Sequence, residues 1–319
     1  MPRVLVTGGA GFVGSNVARL AQHNGWDVRI LDNLSTGLKA TCNELREEGI
    51  EIVIGDLRDK ETVEQAVRGC DVIVNLAAQV SVPYSMAHPE ENHEINVNGT
   101  AFLIEACKTH KIQRFITASS AAVYGTKDSM PLKEEDAGEF HSPYAESKWK
   151  NEIQVIDARM GGLHAIALRF FNVYGNGQRS DGAYAAVIPK FIELMANDQP
   201  PVIFGDGKQT RDFVHVNDVA GAIMMFATET WDDTWSSVYN LATQTERSLV
   251  DLVATINEVL SQHKSDYQLL QPIFKDERAG DIRTSVGCID RILEETNWAP
   301  QTSFEQGLEH QIITTLANM

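Results

Sequence analysis

Tyr144-Ala145-Glu146-Ser147-Lys148 sets a phenol and an ammonium four residues apart, and on a helix that spacing turns both side chains the same way. A nearby ammonium favours phenolate over phenol, which makes Tyr144 a candidate base near neutral pH. The same spacing arises by chance on many helices, so position must decide. Here the pair opens a helical stretch that follows an apolar run ending in Ser119-Ser120. In an open parallel sheet, the carboxyl ends of such runs are where ligands bind.

A second cluster, Thr7-Gly8-Gly9-Ala10-Gly11-Phe12-Val13-Gly14, follows the first apolar run in a G-x-x-G-x-x-G arrangement. Glycines there permit a tight turn and let backbone N–H groups approach a pyrophosphate, while the last allows close helix–strand packing. Alone, the pattern also fits an ordinary glycine-rich strand–helix turn. Asp32 ends the second apolar run, where an acid hydrogen-bonds adenosine ribose hydroxyls and repels a 2′-phosphate. No Arg follows it immediately, which favours NAD over NADP. Gly55-Asp56-Leu57 closes the third run, placing Asp56 where an adenine amino group would lie. With the three features in register the segment predicts a dinucleotide site. Lys148 then also stands where it can hold the nicotinamide ribose, and the positive ring of NAD⁺ adds to the pull toward phenolate.

The elements that must carry these groups are legible as apolar, β-branched runs at residues 4–7, 28–31, 52–54, 72–76, 115–118 and 165–169. Helical periodicity falls between them, at 11–24, 60–68, 90–110 and 144–159. Strands apolar on both faces, each followed by a helix, predict an α/β Rossmann-type doubly wound parallel sheet. After Gly175 the alternation loosens, and Gly and Pro gather around 197–207. Helical segments at 187–196, 249–263 and 303–317 then predict a smaller C-terminal α/β part that binds substrate. The expected division is a cofactor domain over 1–174, with 213–242 interleaved, and a substrate domain over 175–319.

Bulk properties narrow the partners. A net charge of −17 across 319 residues argues against nucleic acid or an anionic membrane surface held by a general field. A diphosphate ligand would need local Arg and Lys. The run Glu134-Glu135-Asp136 reads as solvated loop surface, and His88, His93, His141 and His215 lack ligand spacing, so no metal is expected. Cys42, Cys70, Cys107 and Cys288 lie far apart and read as buried or incidental thiols of a reducing compartment. The chain enters a strand at once, and its most apolar stretch, 220–227, is too short to span a bilayer, so a cytoplasmic protein is expected.

Further motifs carry a resemblance over essentially the whole chain. They are TGGAGFVG (7–14), DNLSTG (32–37), GDLRD (55–59), NLAAQ (75–79), NVNGT (96–100), SSAAVYG (119–125), YAESK (144–148), RFFNVYG (169–175), GDGKQTRDFVHV (205–216) and RAGD (278–281). The sequence resembles the extended short-chain dehydrogenase/reductases and, within them, the UDP-glucose and UDP-N-acetylglucosamine 4-epimerases. The resemblance implies that Ser120 assists Tyr144 and Lys148 in catalysis. It implies cofactor contacts at Gly8, Gly11, Phe12, Val13, Gly14, Asp32, Asn33, Ser35, Gly37, Asp56 and Leu57. Further contacts to NAD are implied at Leu76, Ala77, Ala78, Gln79, Asn96, Ser119, Tyr144, Lys148, Phe171 and Val173. For a UDP-sugar it implies Ser120, Tyr144, Asn172, Val187 and Lys190, with Arg211 and Arg278 on the diphosphate, Asp281 on the uridine ribose and Ser285 bordering the sugar. A homodimer through the helices at 90–110 and 144–159 follows from the same likeness. After VYG the family usually reads G-P-R-Q where this chain has Asn176-Gly177-Gln178-Arg179, which marks that loop as a place where base recognition could differ.

Within that superfamily, dehydratases and decarboxylases usually carry an acid just after the catalytic Ser or Thr. Ala121 and Ala122 stand there, which favours epimerisation. A C4 reductase would usually want NADPH, which Asp32 disfavours. A non-catalytic NAD sensor would be expected to lose Tyr or Lys of the pair, and both are present.

Overall fold

The structure, a computed structural model, describes residues 1–181, 186–277 and 282–319. Strand and helix alternate from the start: β1 (Arg3–Thr7), α1 (Phe12–His23), β2 (Asp27–Asp32), α2 (Lys39–Glu47), β3 (Glu51–Ile54), α3 (Lys60–Val67) and β4 (Val72–Asn75). Two short helices, α4 (Val82–Ala87) and α5 (Pro89–His93), lead through a π turn at Glu94–Asn98 into α6 (Gly99–His110). Then come β5 (Arg114–Ser120), α7 (Pro143–Met160), β6 (His164–Phe170), β7 (Asn172–Tyr174), α8 (Val187–Ala196), β8 (Val202–Phe204), β9 (Thr210–Arg211) and β10 (Phe213–His215). The chain closes with α9 (Val216–Thr228), β11 (Val238–Leu241), β12 (Arg247–Ser248), α10 (Leu249–His263), β13 (Ile273–Lys275), β14 (Thr284–Ser285), α11 (Asp290–Glu295) and α12 (Phe304–Ala317).

The central sheet runs β11-β6-β5-β4-β1-β2-β3 with every pairing parallel. Val4, Leu5 and Val6 of β1 are all fully buried, because alternate side chains feed two different cores. Val4 and Val6 pack with Val17, Ile30 and the α9 residues Val219 and Ile223, whereas Leu5 packs with Leu31, Ile73, Leu103 and Phe115. The apolar stretch at 220–227 is thus one side of a core: α9 lies against α1 under the sheet. Strand order reverses between β1 and β4, which opens a crevice at their carboxyl ends.

A third core joins α8, α10 and α12 through Phe191, Ile192, Leu252, Ile256, Leu308 and Ile312. Small sheets stitch this part to the first: β10 pairs with β7, and β9 lies between β12 and β14. Asp212, fully buried between β9 and β10, anchors the stitching. Its carboxylate accepts from Thr243 N and Oγ1 at 2.7 Å, Gln244 N at 2.9 Å and Gly287 N at 3.3 Å.

The stretch at 90–110 is not one helix. The π turn breaks it and turns Asn96 inward, where its carbonyl accepts from Asn151 Nδ2 at 2.8 Å. The nine-residue α2 buries only Cys42 and Leu45 and is otherwise polar, so few apolar residues mark it in the sequence. Among the described residues, no helix is long and apolar enough to cross a membrane, and the four cysteines are buried and free.

Candidate functional site

The glycine loop is shaped by close approach. Gly8 adopts φ +67, and a Cβ there would lie 2.8 Å from Ala77 N, while a Cβ on Gly14 would lie 2.2 Å from Gly8 O. Gly11 caps α1 with no side-chain hydrogen bond, so the first-turn N–H groups at Phe12 and Val13 face the crevice at the positive end of the helix. That is an anion cradle.

Asp32 is locked beside it. Its carboxylate accepts from Ala10 N at 2.9 Å and from Leu34 N at 2.8 Å, the second bond holding Leu34 in the left-handed region at φ 59. Gly37 packs against the same carboxylate. Asn33 and Ser35 are exposed, with Asn33 Oδ1 accepting from Ser35 N at 3.0 Å and Asn33 Nδ2 donating to Asp56 at 2.8 Å. Arg58 chelates Asp56 through its own N and Nε, each at 2.9 Å, and through Nη2 at 2.8 Å. That guanidinium, aided by Asn33, holds the Asp56 carboxyl well below the usual carboxylate range. Arg58 was not singled out in the sequence, although Asp-x-Arg at the end of a strand is a readable signal. Leu57 is buried against Gly99, so only its backbone can face the crevice.

At the end of β4, Asn75 Oδ1 accepts from Thr7 Oγ1 at 2.7 Å, and its Nδ2 donates to Thr100 and Thr117. This web fixes Leu76, Ala77 and Ala78 against the glycine loop, with Ala77 N donating to Thr7 Oγ1 at 3.2 Å. The Asn96 side chain accepts from Gln79 N at 2.8 Å and donates to Gln79 O and to Ser147 Oγ, each at 3.0 Å. It braces the crevice wall against α7.

Ser142 caps α7 and Pro143 opens it, so the first turn presents Tyr144 to the crevice. Tyr144 N donates to Ser85 Oγ at 3.2 Å, a buried brace from α4 that sequence patterning did not reveal. Lys148 is 4 % exposed, donates to Ala118 O at 2.9 Å, and places Nζ 6.0 Å from the Tyr144 ring centre. Burial pushes its ammonium down to about 8, with the Glu152 carboxylate pulling the other way. Burial pushes the Tyr144 phenol up, and the Ser120 hydroxyl works against that shift. The Ser119 hydroxyl turns away from the crevice and donates to Glu152.

Beneath this pair lies a buried polar chain. Arg169 grips Glu152 with two bonds of 2.8 Å and donates to Tyr124 Oη at 2.9 Å and Glu134 O at 2.7 Å. Glu134 is not solvated, as its acidic run suggested. It is buried by the turn Glu134–Asp136 folding onto β11, and it accepts from Asn240 N at 2.9 Å. Burial pushes its carboxyl up.

On the substrate side, Asn172 is exposed just beyond β6, and its N donates to Asp212 O at 3.0 Å. Ser285 lies in register beside Arg211, so both side chains share one face. Arg211 Nη1 donates to Thr210 O at 2.9 Å and Ile282 O at 2.7 Å. Val187 opens α8, and Lys190 pairs with Glu193 at 3.3 Å. Phe171 is buried against Tyr124, and Val173 is half-buried on β7. Arg278 and Asp281 lie outside the described residues. The atypical loop after VYG leans toward α1 and the 35–37 loop: Asn16 Nδ2 donates to Asn176 O at 3.2 Å, and Arg179 Nη1 to Thr36 O at 3.4 Å.

Residues 4–242 match the family model described as NAD dependent epimerase/dehydratase family. The chain belongs to that family. A UDP-N-acetylglucosamine 4-epimerase from Methanobrevibacter ruminantium M1, solved in complex with UDP-N-acetylmuramic acid, superposes with a TM-score of 0.91 at 35% identity, covering 100% of this chain and 99% of that one. A UDP-glucose 4-epimerase of Mycolicibacterium smegmatis is 32% identical over 310 residues, 96% of each chain. A UDP-N-acetyl-alpha-D-glucosaminuronate decarboxylase of Bacillus cytotoxicus is 31% identical over 318 residues, 97% of this chain and 96% of its own. This NAD-dependent family member therefore has relatives of more than one activity, and its own side chains must discriminate among them.

Lys148 gives a stability test. Folded, it releases its proton at about 8, whereas an unfolded lysine holds it to about 10.4. Between those values the unfolded chain binds more protons, so stability rises with pH, and below about 8 the folded protein carries the full cost of a buried ammonium. That cost is about 3 kcal/mol, larger than the roughly 1 kcal/mol hydrogen bond to Ala118. Lys148→Met should therefore raise the melting temperature of cofactor-free protein near neutral pH and flatten its alkaline rise. A variant that melts below the parent under those conditions would count against the buried ammonium.

Proposed function

We propose that the protein is an NAD-dependent UDP-sugar 4-epimerase that interconverts UDP-N-acetylglucosamine with UDP-N-acetylgalactosamine, and UDP-glucose with UDP-galactose. The observation that carries the reading is Tyr144 standing between Ser120 and Lys148 at the carboxyl end of β5, with Ala121 and Ala122 where an additional acid would otherwise sit. The decarboxylase relative makes that absence of a carboxyl worth weighing. NAD fits the residues present: a backbone cradle that admits no Cβ at Gly8 or Gly14, and a locked carboxylate at Asp32 for ribose hydroxyls. In this reading residues 1–174 with 213–242 hold the cofactor, and 175–319 hold the nucleotide sugar. The free, buried thiols suit a cytoplasmic setting.

Bound NAD supplies the acceptor and donor of hydride at sugar C4. Tyr144 takes the proton of the 4-hydroxyl and later returns it. Ser120 hydrogen-bonds the phenolate, and the Lys148 ammonium stabilises it electrostatically. Arg211, with Arg278, holds the diphosphate, Asn172 contacts it, and Asp281 holds the ribose. Val187 and Lys190 line the approach along α8. Holding the substrate by its diphosphate leaves the 4-keto ring free to turn its other face before reduction. Ser285, on the Arg211 face, leaves room for an N-acetyl group at C2.

The assembly is a homodimer in which α6 and α7 pair with those of a second copy. Ile153, Ile156 and Met160 of α7 support this, since they recur at helical spacing and are exposed.

Incubation with a panel of UDP-sugars and no added cofactor, resolved by NMR, should show 4-epimers as the products. Decarboxylated or 4,6-dehydrated products would overturn the reading, and bound NAD without any turnover would favour a sensor. Tyr144→Phe should retain NAD while losing at least about a hundredfold in turnover. Ser285→Tyr should abolish activity on the acetylated pair by filling the pocket and spare the plain hexose pair. Equal loss on both pairs would remove Ser285 as the gate. For assembly, Ile156→Glu should convert the dimer to a monomer in sedimentation at micromolar concentration, and a parent that is already monomeric would refute the interface.

A further inference from the structure

Nothing in the proposed reaction uses Glu152, a buried acid on the same helix as Tyr144 and Lys148. It stands one helical turn beyond Lys148 on α7, so both side chains project from the same face. It is 1 % exposed. Three donors fix its carboxylate: the Ser119 hydroxyl and two nitrogens of Arg169, itself 2 % exposed. Ser119 and Arg169 are register partners on β5 and β6, so the sheet presents both donors together beneath the helix. The bidentate Arg169 guanidinium gives this deeply buried carboxylate a counter-charge.

We propose that Glu152, held in place by Arg169 and Ser119 one turn beyond Lys148, is a positioning residue that keeps Lys148 in its ammonium form at the active site. The inference rests on Tyr144 and Lys148 being the acid–base pair. Its physical basis is the opposition already seen at Lys148: burial disfavours the ammonium, and Glu152 is the charged group that works against burial. Among the described residues, no second acid acts on Lys148 in this way. From α7 the other titratable neighbour is Tyr144. β5 contributes the Ala118 carbonyl and the Ser119 hydroxyl. β6 contributes Arg169, whose like charge would drive the ammonium the wrong way were it not spent on Glu152. The turns before α7 contribute Tyr124, bonded to Arg169 and Asn240, and Glu134, which faces Arg291. Arg169 thus has a double effect, stabilising the acid that stabilises Lys148.

The test separates this role from a purely structural one. Glu152→Gln alone would leave Arg169 buried without a counter-charge, so the variant of choice is Glu152→Gln with Arg169→Gln, which replaces the ion pair by a hydrogen-bonded amide pair. Retained NAD and a cooperative melt would show that the fold survives. The alkaline limb of the kcat profile, where Lys148 loses its proton, should then move down by about one pH unit or more. In NAD-loaded protein without sugar, the Tyr144 phenolate absorbance, isolated by difference from Tyr144→Phe, should titrate at higher pH than in the parent. An unshifted profile and titration in the folded double variant would overturn the proposal. Should that variant not fold, Glu152→Asp keeps the charge but withdraws it, and a smaller shift in the same directions is expected; no shift there is equally fatal. If the parent turns over no UDP-sugar, the functional reading fails, while the phenolate titration still decides this one.

Discussion

An ammonium buried to 4 % exposure is costly, and much of the protein around Lys148 is arranged to tolerate it. The Ala118 carbonyl accepts a hydrogen bond from it, and Glu152 answers its charge. Glu152 in turn needs Arg169, and Arg169 spends its remaining donor on Tyr124 and the Glu134 carbonyl. Tyr124 then donates to Asn240 of β11, whose amide binds Leu132 O and Cys288 O. One buried charge thereby recruits α7, β5, β6, β11 and the loop around residue 132. Leaving any link unpaired would cost about 1–3 kcal/mol, which makes the chain of partners a single unit.

What was legible in the sequence is what the chain encodes locally. The glycine loop, Asp32 and the Tyr144–Lys148 pair each depend on spacing within one turn, strand end or helix, and each stands at the sheet edge that the strand–helix alternation implies. The polar chain was not legible, because its partners are far apart in sequence: Tyr124 and Asn240 are separated by 116 positions, and Glu134 and Asn240 by 106. Glu134 shows why composition misled. Its two acidic neighbours made it look solvated, yet one of the three carboxylates turns inward to close an N–H on β11. Ser85 was not legible because a lone serine carries no period and its partner Tyr144 is 59 positions away, whereas Arg58, two residues from Asp56, was legible as Asp-x-Arg.

The loop after VYG was singled out for its departure from the family pattern, with base recognition as the suspected consequence. Within the protein it contacts Asn16 on α1 and Thr36 beside Asp32. A segment that continues from β7 toward the substrate part thus also leans on the cofactor loop. Both hydrogen bonds are accepted by backbone oxygens, at Asn176 and at Thr36.

The two parts of the molecule are built with different redundancy. The first part hangs on strands of four to seven residues in one continuous parallel sheet. The part around the third core is stitched by strands of two or three residues, with β9, β12 and β14 contributing two each. A two-residue strand fixes little by its ladder, so its placement falls to side chains, above all the Asp212 carboxylate with its four donors. That anchor sits next to Arg211, and Arg211 sits in register with Ser285. In the proposed function a change in size at position 285 would therefore alter the sugar pocket without touching the sheet that aligns Tyr144 and Lys148. Under the proposed function the long strands hold the chemistry and the short ones the choice of sugar, a division that lets the substrate change while Tyr144 and Lys148 stay aligned.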